Sequence, residues 1–513
     1  MTPAIDITTA QRKTLLTLLR RFIPGVLVWA YGSRVKWTAR PNSDLDLVAF
    51  TTPAQSPLVS ELKEALGESN LPFPVDLHVW NEVPERFHEI IRHEYVVLQE
   101  AEEKHQRDVS GWQTIRLGSA CEKIGSGATP RGGSEVYQST GISLIRSQNI
   151  YNDGFKRDGL AFIGDKHARE LENVNVLPGD VLLNITGDSV ARVCQVPDEI
   201  LPARVNQHVA IIRPKKNILD ARFLHYFLIH PQTQAHMLGL AGAGATRNAL
   251  TKGMIESFEI KAPSFSEQSA IASVLGSLDD KIELNRRMNE TLEALAQSLF
   301  KSWFVDATQS ALPKGWREGS ILEVAKLLSG GTPKTEREDY WNGNILWASA
   351  KDVSQCGQTF LVTTERTITK KGLEESATQL IPAFCTVVVA RGATTGRMTM
   401  FGREIAMNQT CYALASTTGT PFALYCLFHH AIDALVQTAH GSVFDTITTS
   451  TFAASKVALP PQQVFDAFEK TVSPIFARIL SNIKESRTLA ALRDALLPKL
   501  LSGELRVPKA SGK

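Results

Sequence analysis

The sequence predicts an α+β multidomain chain. An N-terminal α/β domain is followed by two mixed, β-rich domains, which are separated by two long antiparallel coiled-coil helices in a pseudo-twofold arrangement. Three observations predict this class. The length of 513 residues exceeds what one hydrophobic core can organise. An internal duplication begins near residue 111, and short apolar strands with regularly spaced aspartates precede it.

Composition excludes several classes of protein. Charged residues make up 21% and hydrophobic residues 43% of the chain, which is ordinary for a globular protein and unlike a disordered or fibrous one. The net charge of +2 is no overall nucleic-acid signature, so a basic surface must come from local clustering. Six cysteines without paired spacing, no signal-peptide pattern and no long apolar run predict a cytoplasmic chain with reduced thiols and no membrane partner.

The N-terminal segment "YGSRVKWTARPNSDLDLVAF" (residues 31–50) has the pattern of a strand end, a Gly-Ser turn and a second strand. In the second strand Asp44 and Asp46 alternate with leucines, so both carboxylates face one side of a sheet. A third strand, "FPVDLHVW", carries Asp76 between apolar neighbours. Three carboxylates on one face are unfavourable unless cations neutralise them, which predicts a divalent metal site. Mg²⁺ suits such oxygen ligands.

The rest of the chain contains two copies of one pattern. "GWQTIRLGSACEKIGSGATP" (111–130) is answered by "GWREGSILEVAKLLSGGTP" (315–333), and "VNQHVAII" is answered by "MNQTCYAL". Matching positions stay 202–205 residues apart over this long stretch, a register that chance would not maintain.

Each copy ends in a long amphipathic helix whose seam positions recur in steps of four and three. The two seams match residue for residue at an offset of 197, which favours pairing with each other over packing on separate cores. A helix over residues 266–303 would be about 57 Å long. The seam positions are Ile271, Leu275, Leu278, Ile282, Asn285, Asn289, Leu292, Ala296 and Leu299 in the first helix, and Phe468, Val472, Ile475, Ile479, Asn482, Ser486, Leu489, Arg493 and Leu496 in the second.

Both seams carry an asparagine at the same mid-helix position, Asn285 and Asn482. Antiparallel packing about a pseudo-twofold axis would bring the two midpoints together, and a buried Asn can fix the register of a coiled coil. We therefore expect these side chains to lie within two helical turns of each other, about 11 Å. The alternative is that both face solvent and have no role in register.

Ahead of each helix, short β-branched or apolar runs and frequent Gly turns predict a mixed, β-rich domain with a few helices, such as one over 220–239. What recurs near the Gly turns is Arg, Lys and Asn, which supply phosphate and base-edge contacts. The pairs Asn206-Gln207 and Asn408-Gln409 recur in both copies, which predicts shared architecture for them. The DNA-binding candidates are Arg146, Asn149, Arg192, Lys351, Arg391 and Arg397.

The duplicated region resembles the specificity subunit of type I restriction–modification systems. The resemblance rests on the repeated "GW" and "SG-x-TP" motifs, on "APSFSEQSAIASVLGSLDDKIELNRRMNETLEALAQSLF" as a central spacer, and on "LPPQQVFDAFEK" and "LLPKLLSGELRV" in a C-terminal spacer. It implies target-recognition domains that bind a bipartite, gapped site in double-stranded DNA without DNA chemistry of their own. It also implies two methyltransferase (modification) subunits and nuclease/translocase (restriction) subunits as partners, on which S-adenosylmethionine and ATP would bind.

Residues 10–105 resemble minimal nucleotidyltransferases of the polymerase-β-like superfamily. The pattern is Gly-Ser, ten residues, Asp-x-Asp and a later strand Asp, and "RFHEIIRHEYVVLQE" (86–100) resembles the helix that closes such modules. The resemblance implies Mg²⁺ and a nucleoside triphosphate as cofactors, and either a small molecule or a partner protein as acceptor. It implies metal-binding and catalytic roles for Asp44, Asp46 and Asp76, and nucleotide-binding roles for Gly32, Ser33 and Arg34.

These patterns divide the chain into six parts and leave alternatives open. The N-terminal domain is either an active enzyme or a folded, inactive relic. A different interpretation is a free-standing nucleotidyltransferase whose duplicated region binds a polymeric acceptor, and a third is a scaffold with neither activity. The expected parts are a nucleotidyltransferase-like domain (1–105), target-recognition domain 1 (106–263), a central spacer helix (264–308), target-recognition domain 2 (309–460), a C-terminal spacer helix (461–507) and a tail (508–513).

Overall fold

The computed structural model describes residues 5–40, 43–51, 55–83, 87–88, 91, 94–99, 112–242, 248–439 and 446–507. The chain divides into two compact units, one of residues 1–270 with 498–513 and the other of residues 271–497. All six cysteines are free. Among the described residues, no helix is long and apolar enough to cross a membrane.

The N-terminal domain is a four-stranded sheet with two helices on one face. The strand order is β3-β2-β1-β4, and only the β2–β3 pair is parallel. The helix α1 begins at a capping box in which the Thr8 hydroxyl and the Gln11 side chain satisfy each other's backbone N–H. The elements are α1 (Thr9–Phe22), β1 (Val28–Tyr31), β2 (Leu45–Ala49), α2 (Ser56–Gly67), β3 (Val75–Val79) and β4 (Val96–Gln99).

Alternation along the strands sorts this sheet into two different faces. Leu45 and Leu47 are fully buried and pack with Leu15, Leu19 and Leu62 from the helices. Asp46, the residue between them, points to the opposite face. One expectation is corrected here. Residues 86–100 do not form a single closing helix, because Val96–Gln99 is a strand that pairs with β1; several residues before it lie outside the described ranges.

The first repeat contains two four-stranded sheets and two two-stranded sheets. Their orders are β10-β7-β14-β11, β13-β12-β15-β6, β16-β5 and β8-β9. The helix predicted over 220–239 is divided at His230, because Pro231 cannot continue the preceding hydrogen-bond ladder. The strands are β5 (Gln113–Arg116), β6 (Cys121–Ser126), β7 (Ile142–Ile145), β8 (Ile150–Tyr151), β9 (Gly154–Phe155), β10 (Ala161–Ile163), β11 (Asn175–Val176), β12 (Val181–Asn184), β13 (Val193–Gln195), β14 (Ala203–Val205), β15 (Val209–Pro214) and β16 (Glu259–Ala262), and the helices are Leu117–Ala120, Asp165–Glu170, Ala221–Ile229, Pro231–Gly242 and Lys252–Glu256.

Three of these sheets recur in the second repeat with the same strand order. Sheet β21-β19-β25-β22 matches β10-β7-β14-β11, sheet β18-β26-β23-β24 matches β6-β15-β12-β13 with β20 added at its edge, and β17-β27 matches β5-β16. The strands are β17 (Arg317–Gly319), β18 (Ala325–Ser329), β19 (Trp341–Ala348), β20 (Phe360–Leu361), β21 (Arg366–Ile368), β22 (Leu380–Ile381), β23 (Thr386–Val389), β24 (Met398–Phe401), β25 (Ile405–Met407), β26 (Cys411–Ser416) and β27 (Val457–Leu459), and the helices are Ala350–Gln355, Lys370–Glu374, Pro421–Ala439 and Thr449–Ala453.

Each repeat is followed by a long helix. The central helix is Phe265–Phe300, continued by one π-helical turn over Lys301–Val305, and the C-terminal helix is Gln462–Leu501. Within the second unit, Asp279 on the central helix pairs with Arg493 at 2.7 Å, and Lys281 pairs with Glu485 at 3.4 Å. The two stretches are antiparallel, because the contacting residue numbers rise in one helix and fall in the other.

Candidate functional site

The carboxylates predicted to bind metal lie together on the open face of the N-terminal sheet. Parallel pairing of β2 with β3 places Asp46 directly beside Asp76, and Asp44 stands two residues before Asp46 on the same face. One carboxylate oxygen from each residue lies within 4.8 Å of the others. Asp44 and Asp76 are exposed and Asp46 is half-buried, so a ligand can reach the cluster from solvent.

The electrostatics of this cluster suit a bound cation. Partial burial, followed by the charges of Asp44 and Asp76, raises the pKa of Asp46. Burial, Asp46 and Asp76 also raise the pKa of Tyr31 to about 12. A site that penalises negative charge in this way gains stability when a cation neutralises it. Three hard oxygen donors converging on one point are the donor set that Mg²⁺ prefers.

The turn after β1 is shaped by its contact with this cluster. Gly32 has a φ of +82°, and a Cβ atom there would stand 2.2 Å from the Asp46 Oδ2 atom. Only glycine fits that position without moving the carboxylate. The chain then enters a tight turn in which the Ser33 carbonyl accepts from the Thr38 amide at 3.0 Å. The half-buried Ser33 therefore starts the turn directly beside the acids.

Arg34 has a different role from the phosphate contact that the resemblance implies. Its side chain is only 5% exposed. The guanidinium donates to the Ser43 carbonyl at 3.0 and 2.7 Å and to the Asp6 carbonyl at 3.0 Å, and it lies 3.8 Å from the centre of the Phe73 ring. Arg34 therefore ties the segment before β2 to the N-terminal segment. The hydrogen bonds of the Arg34 guanidinium thus hold two segments of the domain together.

The sequence analysis missed two residues on the acidic face. Tyr31 pairs with Asp46 across β1 and β2. His78 follows Asp76 by two positions in β3, and its Nε2 atom lies 3.9 Å from the Asp76 Oδ2 atom. The strand alternation that placed the aspartates also places these side chains, so the signal was present in the sequence.

The DNA-binding candidates of the first repeat have unequal environments. Asn149 is fully buried, and its side-chain amide donates to the carbonyls of Lys156 and Asp158 at 2.9 and 3.2 Å while its oxygen accepts from the Arg146 amide. In this arrangement the Asn149 side chain holds the loop around it, and a DNA contact would require the loop to open. The Arg146 guanidinium donates to the Gly159 carbonyl. Arg192, half-buried, lies 4.5 Å from the centre of the Tyr151 ring.

The three candidates of the second repeat are all exposed. Lys351 pairs with Glu365 at 2.7 Å. Arg391 and Arg397 flank a turn whose glycines, Gly392 and Gly396, have φ values of +97° and +90°. Exposed arginines on such a turn can reach a phosphate or a base edge, whereas Lys351 would first have to leave its carboxylate partner.

The repeated Asn-Gln pairs occupy the same turn in both repeats. Asn206 Oδ1 accepts from the His208 amide at 3.2 Å, and Asn408 Oδ1 accepts from the Thr410 amide at 3.3 Å. The following glutamines accept hydrogen bonds from threonines of the "TP" motifs, Thr129 to Gln207 and Thr332 to Gln409. These matched contacts assign the pairs to the shared architecture of the repeats.

The two mid-helix asparagines meet in the helix pair. Both are fully buried, and the Asn285 Nδ2 atom lies 3.5 Å from the Asn482 carbonyl oxygen and 2.9 Å from the Glu485 carboxylate. The Asn482 amide donates to Asn289 Oδ1 at 2.8 Å. A polar layer therefore interrupts the apolar seam at the position that the sequence singled out.

Family models match both parts of the chain. The model described as type I restriction modification DNA specificity domain matches residues 109–294 and 313–486. The model described as polymerase beta, nucleotidyltransferase matches residues 15–104.

Individual proteins resemble the same two parts. The type I restriction enzyme MjaIX specificity subunit of Methanocaldococcus jannaschii is 27% identical over 75% of this chain and 91% of its own length. The probable protein adenylyltransferase MntA of Haemophilus influenzae is 44% identical over 19% of this chain and 87% of its own length. The crystal structure of a type-I restriction-modification system S subunit from M. genitalium covers 76% of this chain and 96% of its own, with 16% identity and a TM-score of 0.50, and so shares the fold.

Proposed function

Because the chain belongs to the type I restriction modification DNA specificity family, we propose that it selects the DNA site at which a type I restriction–modification complex acts. The observation that carries this proposal is the duplication itself. The two repeats share three sheets of the same strand order but differ in their loop residues, so each can present a different surface to DNA. A duplicated chain can thus read two unlike half-sites, which a symmetric homodimer cannot do.

In this proposal the paired helices act as a spacer between two readers. Their antiparallel contacts and buried polar layer support a pseudo-twofold arrangement with Asn285 and Asn482 fixing the register. The domains would then follow the expected boundaries, with target recognition in 106–263 and 309–460. Arg192, Arg391 and Arg397 are the candidates that remain best placed for DNA contact, and Arg146 and Lys351 would have to exchange an existing partner first.

The partners follow from the family. Relatives carry the name of type I restriction enzyme specificity subunits, which supports assembly with two methyltransferase subunits and with restriction subunits. S-adenosylmethionine and ATP would bind to those partners, and double-stranded DNA to this chain.

Exchange of one repeat tests this function. Residues 113–262 would be replaced by the matching region of a related specificity subunit, and methylated sites would be mapped in cells that carry the partner methyltransferase. One half of the recognised site should change while the other half and the presence of a gap persist. A change in both halves would contradict independent readers.

For the N-terminal domain we propose nucleotidyl transfer to a hydroxyl acceptor. The convergence of Asp44, Asp46 and Asp76 beside the Gly32 turn supports it, and the name of the relative MntA makes a protein a plausible acceptor. The three aspartates would hold Mg²⁺, which when bound neutralises the triphosphate and the leaving pyrophosphate. The amides of the turn at Gly32 and Ser33 would orient the phosphates.

The chain's own residues would then direct one substitution at phosphorus. Asp76 accepts the proton of the acceptor hydroxyl, whose oxygen forms a bond to the α-phosphorus of the nucleoside triphosphate. The bond from that phosphorus to its bridging oxygen breaks, and pyrophosphate leaves. Tyr31 and His78 border the space in which the acceptor would stand.

A label-transfer experiment tests this second function. Purified chain with Mg²⁺ and α-labelled nucleoside triphosphates should transfer label to a protein of the complex or to a co-expressed protein. Asp44→Ala should reduce transfer by at least about a hundredfold, because the metal site loses a ligand. Glu61→Gln, which removes an exposed carboxylate from α2, is the matched control. Absence of transfer to protein, RNA or small molecules would favour the inactive relic.

A further inference from the structure

The open face of the N-terminal sheet carries a cluster of stacked rings beyond the aspartates. This ring cluster consists of Trp29, Phe50, Trp80, His88 and Tyr95. Trp29 and Tyr95 stack with centroids 3.8 Å apart, Phe50 and Trp80 at 4.8 Å, and Trp80 and His88 at 4.1 Å. Trp29 contacts Phe50 at 4.6 Å and so joins the two stacks into one surface.

Strand register places the ring cluster on the same face as the acids. Trp29 lies two residues before Tyr31, which pairs with Asp46. Phe50 follows Asp46 by four residues, and Trp80 follows Asp76 by four. At about 3.3 Å per residue, four residues along a strand span roughly 13 Å. Trp29 pairs with Val48, two residues from Asp46, and is therefore closer to the acids, at roughly 7 Å along the strand. The ring cluster thus begins beside the aspartates and extends outward, near enough to hold another part of the same acceptor.

The ring cluster is not sealed like a core. Tyr95 is 40% exposed, and the other four rings are half-buried. On the same face Val48 is fully buried, so the rings cover the strand between them while Tyr95 stays in solvent. On the opposite face Ala30, Leu45 and Leu47 are fully buried under the helices. Partly exposed aromatic rings that already stack on one another offer further edges and faces to an incoming ring.

The charge of the face that carries the ring cluster distinguishes a nucleic-acid acceptor from a polypeptide acceptor. The side chains that alternate onto it along the described strands and their ends include three aspartates and neither lysine nor arginine. Lys36, in the turn after β1, pairs with Glu94 at 3.5 Å. A nucleic acid needs cations to neutralise its phosphates, so this acidic and aromatic face disfavours it and favours a polypeptide. The side chains counted are Trp29, Tyr31, Asp44, Asp46, Val48, Phe50, Asp76, His78, Trp80, Tyr95 and Val97.

We infer that the ring cluster is the docking surface for a polypeptide acceptor. It binds an aromatic side chain that lies two to four residues from the hydroxyl to be modified, because an extended peptide covers roughly 7 to 13 Å in two to four residues. The inference deepens the proposed nucleotidyl transfer and rests on it for the identity of the modified group. The rings determine which acceptor binds, and the aspartates act on its hydroxyl.

Peptide binding to the full-length chain tests this inference. The probes are fluorescent peptides with one Thr and one Phe four residues away, and a control peptide in which Leu replaces Phe. The Phe peptide should bind more tightly than the Leu peptide. Tyr95→Ala should weaken its binding by roughly three- to tenfold, since ring pairs contribute about that factor beyond area burial. Tyr95→Phe should retain the binding.

Leu58→Ala provides the matched surface control. Leu58 is also 40% exposed but belongs to α2, which packs on the other face of the sheet, so binding should not change. Equal binding of the Phe and Leu peptides, or unchanged binding by a Tyr95→Ala chain with a normal melting curve, would overturn the inference. So would a single-stranded RNA that binds through Tyr95 and displaces the peptide.

Label transfer distinguishes failure of this inference from failure of the proposed activity. With peptides whose Phe stands one to six residues from the Thr, transfer should peak at a spacing of two to four residues. Transfer that is independent of the Phe position would leave the activity standing and overturn the docking surface. Ring-dependent binding without transfer from any nucleotide would support the docking surface and contradict the activity.

Discussion

At the scale of single residues, Asp46 is the most informative position in the N-terminal domain. Burial and the neighbouring Asp44 and Asp76 raise its pKa, so the folded state holds the Asp46 proton more tightly than the unfolded state does. Protonation of Asp46 therefore contributes to the free energy of unfolding at low pH. This contribution is lost as the pH rises through the pKa that Asp46 has in the folded state. At neutral pH and without metal, the ionised carboxylate therefore destabilises the domain.

The raised pKa predicts that removing the Asp46 charge and adding metal each stabilise the folded domain. In EDTA at neutral pH, Asp46→Asn should raise the unfolding temperature of the N-terminal domain, measured by calorimetry on the full chain. Mg²⁺ should raise that temperature in the natural chain by binding the folded state, and should have little effect on the Asp46→Asn chain. Glu61→Gln, with the same change in charge at an exposed position, should retain the Mg²⁺ response. A natural chain that ignores Mg²⁺ would contradict the metal site.

Residue positions could be predicted from the sequence where a short period determines them. Asp44, Asp46 and Asp76 needed only strand alternation to be placed on one face. Arg34 and Asn149 could not be placed in this way, because their partners are the backbone carbonyls of Asp6 and Ser43, and of Lys156 and Asp158. Such contacts depend on how loops close in three dimensions, and no residue pattern near Arg34 or Asn149 encodes them.

At the scale of elements, a pattern that repeats over many residues predicts an element better than a short one does. The structure has long helices, Phe265–Phe300 and Gln462–Leu501, in the two stretches where seam positions recur over many turns. The segment 86–100 was harder, since a short apolar run such as "YVVLQ" fits a helix end or a strand equally well. In the structure this run pairs with β1 and is therefore a strand, β4.

The two long helices lead to a prediction about the gap between the two halves of the recognised DNA site. Insertion of one whole heptad at matched positions in both helices should keep Asn285 opposite Asn482 and lengthen the spacer by about 10 Å. The gap of the recognised DNA site should then widen, by at most about three base pairs, while both half-sites stay the same. Methylation mapping of the variant measures both properties.

Insertion into one helix alone is the control for register. It offsets the buried asparagines by seven residues and leaves Asn482 facing an apolar seam position, which should lower the stability of the helix pair and abolish methylation. A changed half-site in the matched double insertion would contradict the separation of readers from spacer.

At the scale of the whole molecule, the chain joins regions that match two different families. The matches to the specificity family begin at residue 109 and the match to the nucleotidyltransferase family ends at residue 104, so the two matched regions do not overlap. The two functions can accordingly be tested separately by removing residues 1–105. One further hypothesis is that nucleotidyl transfer regulates the restriction–modification complex, and its basis is the covalent attachment of the two regions.

Mapping of methylated bases in a genome tests the central claim most directly. Cells would carry the partner methyltransferase with the full chain, with the chain lacking residues 1–105, or without the chain. We predict a two-part, gapped motif that appears with either form of the chain and is lost without it. With the methyltransferase present and active, a motif that is absent or ungapped in the presence of the full chain would contradict its role as the DNA specificity subunit.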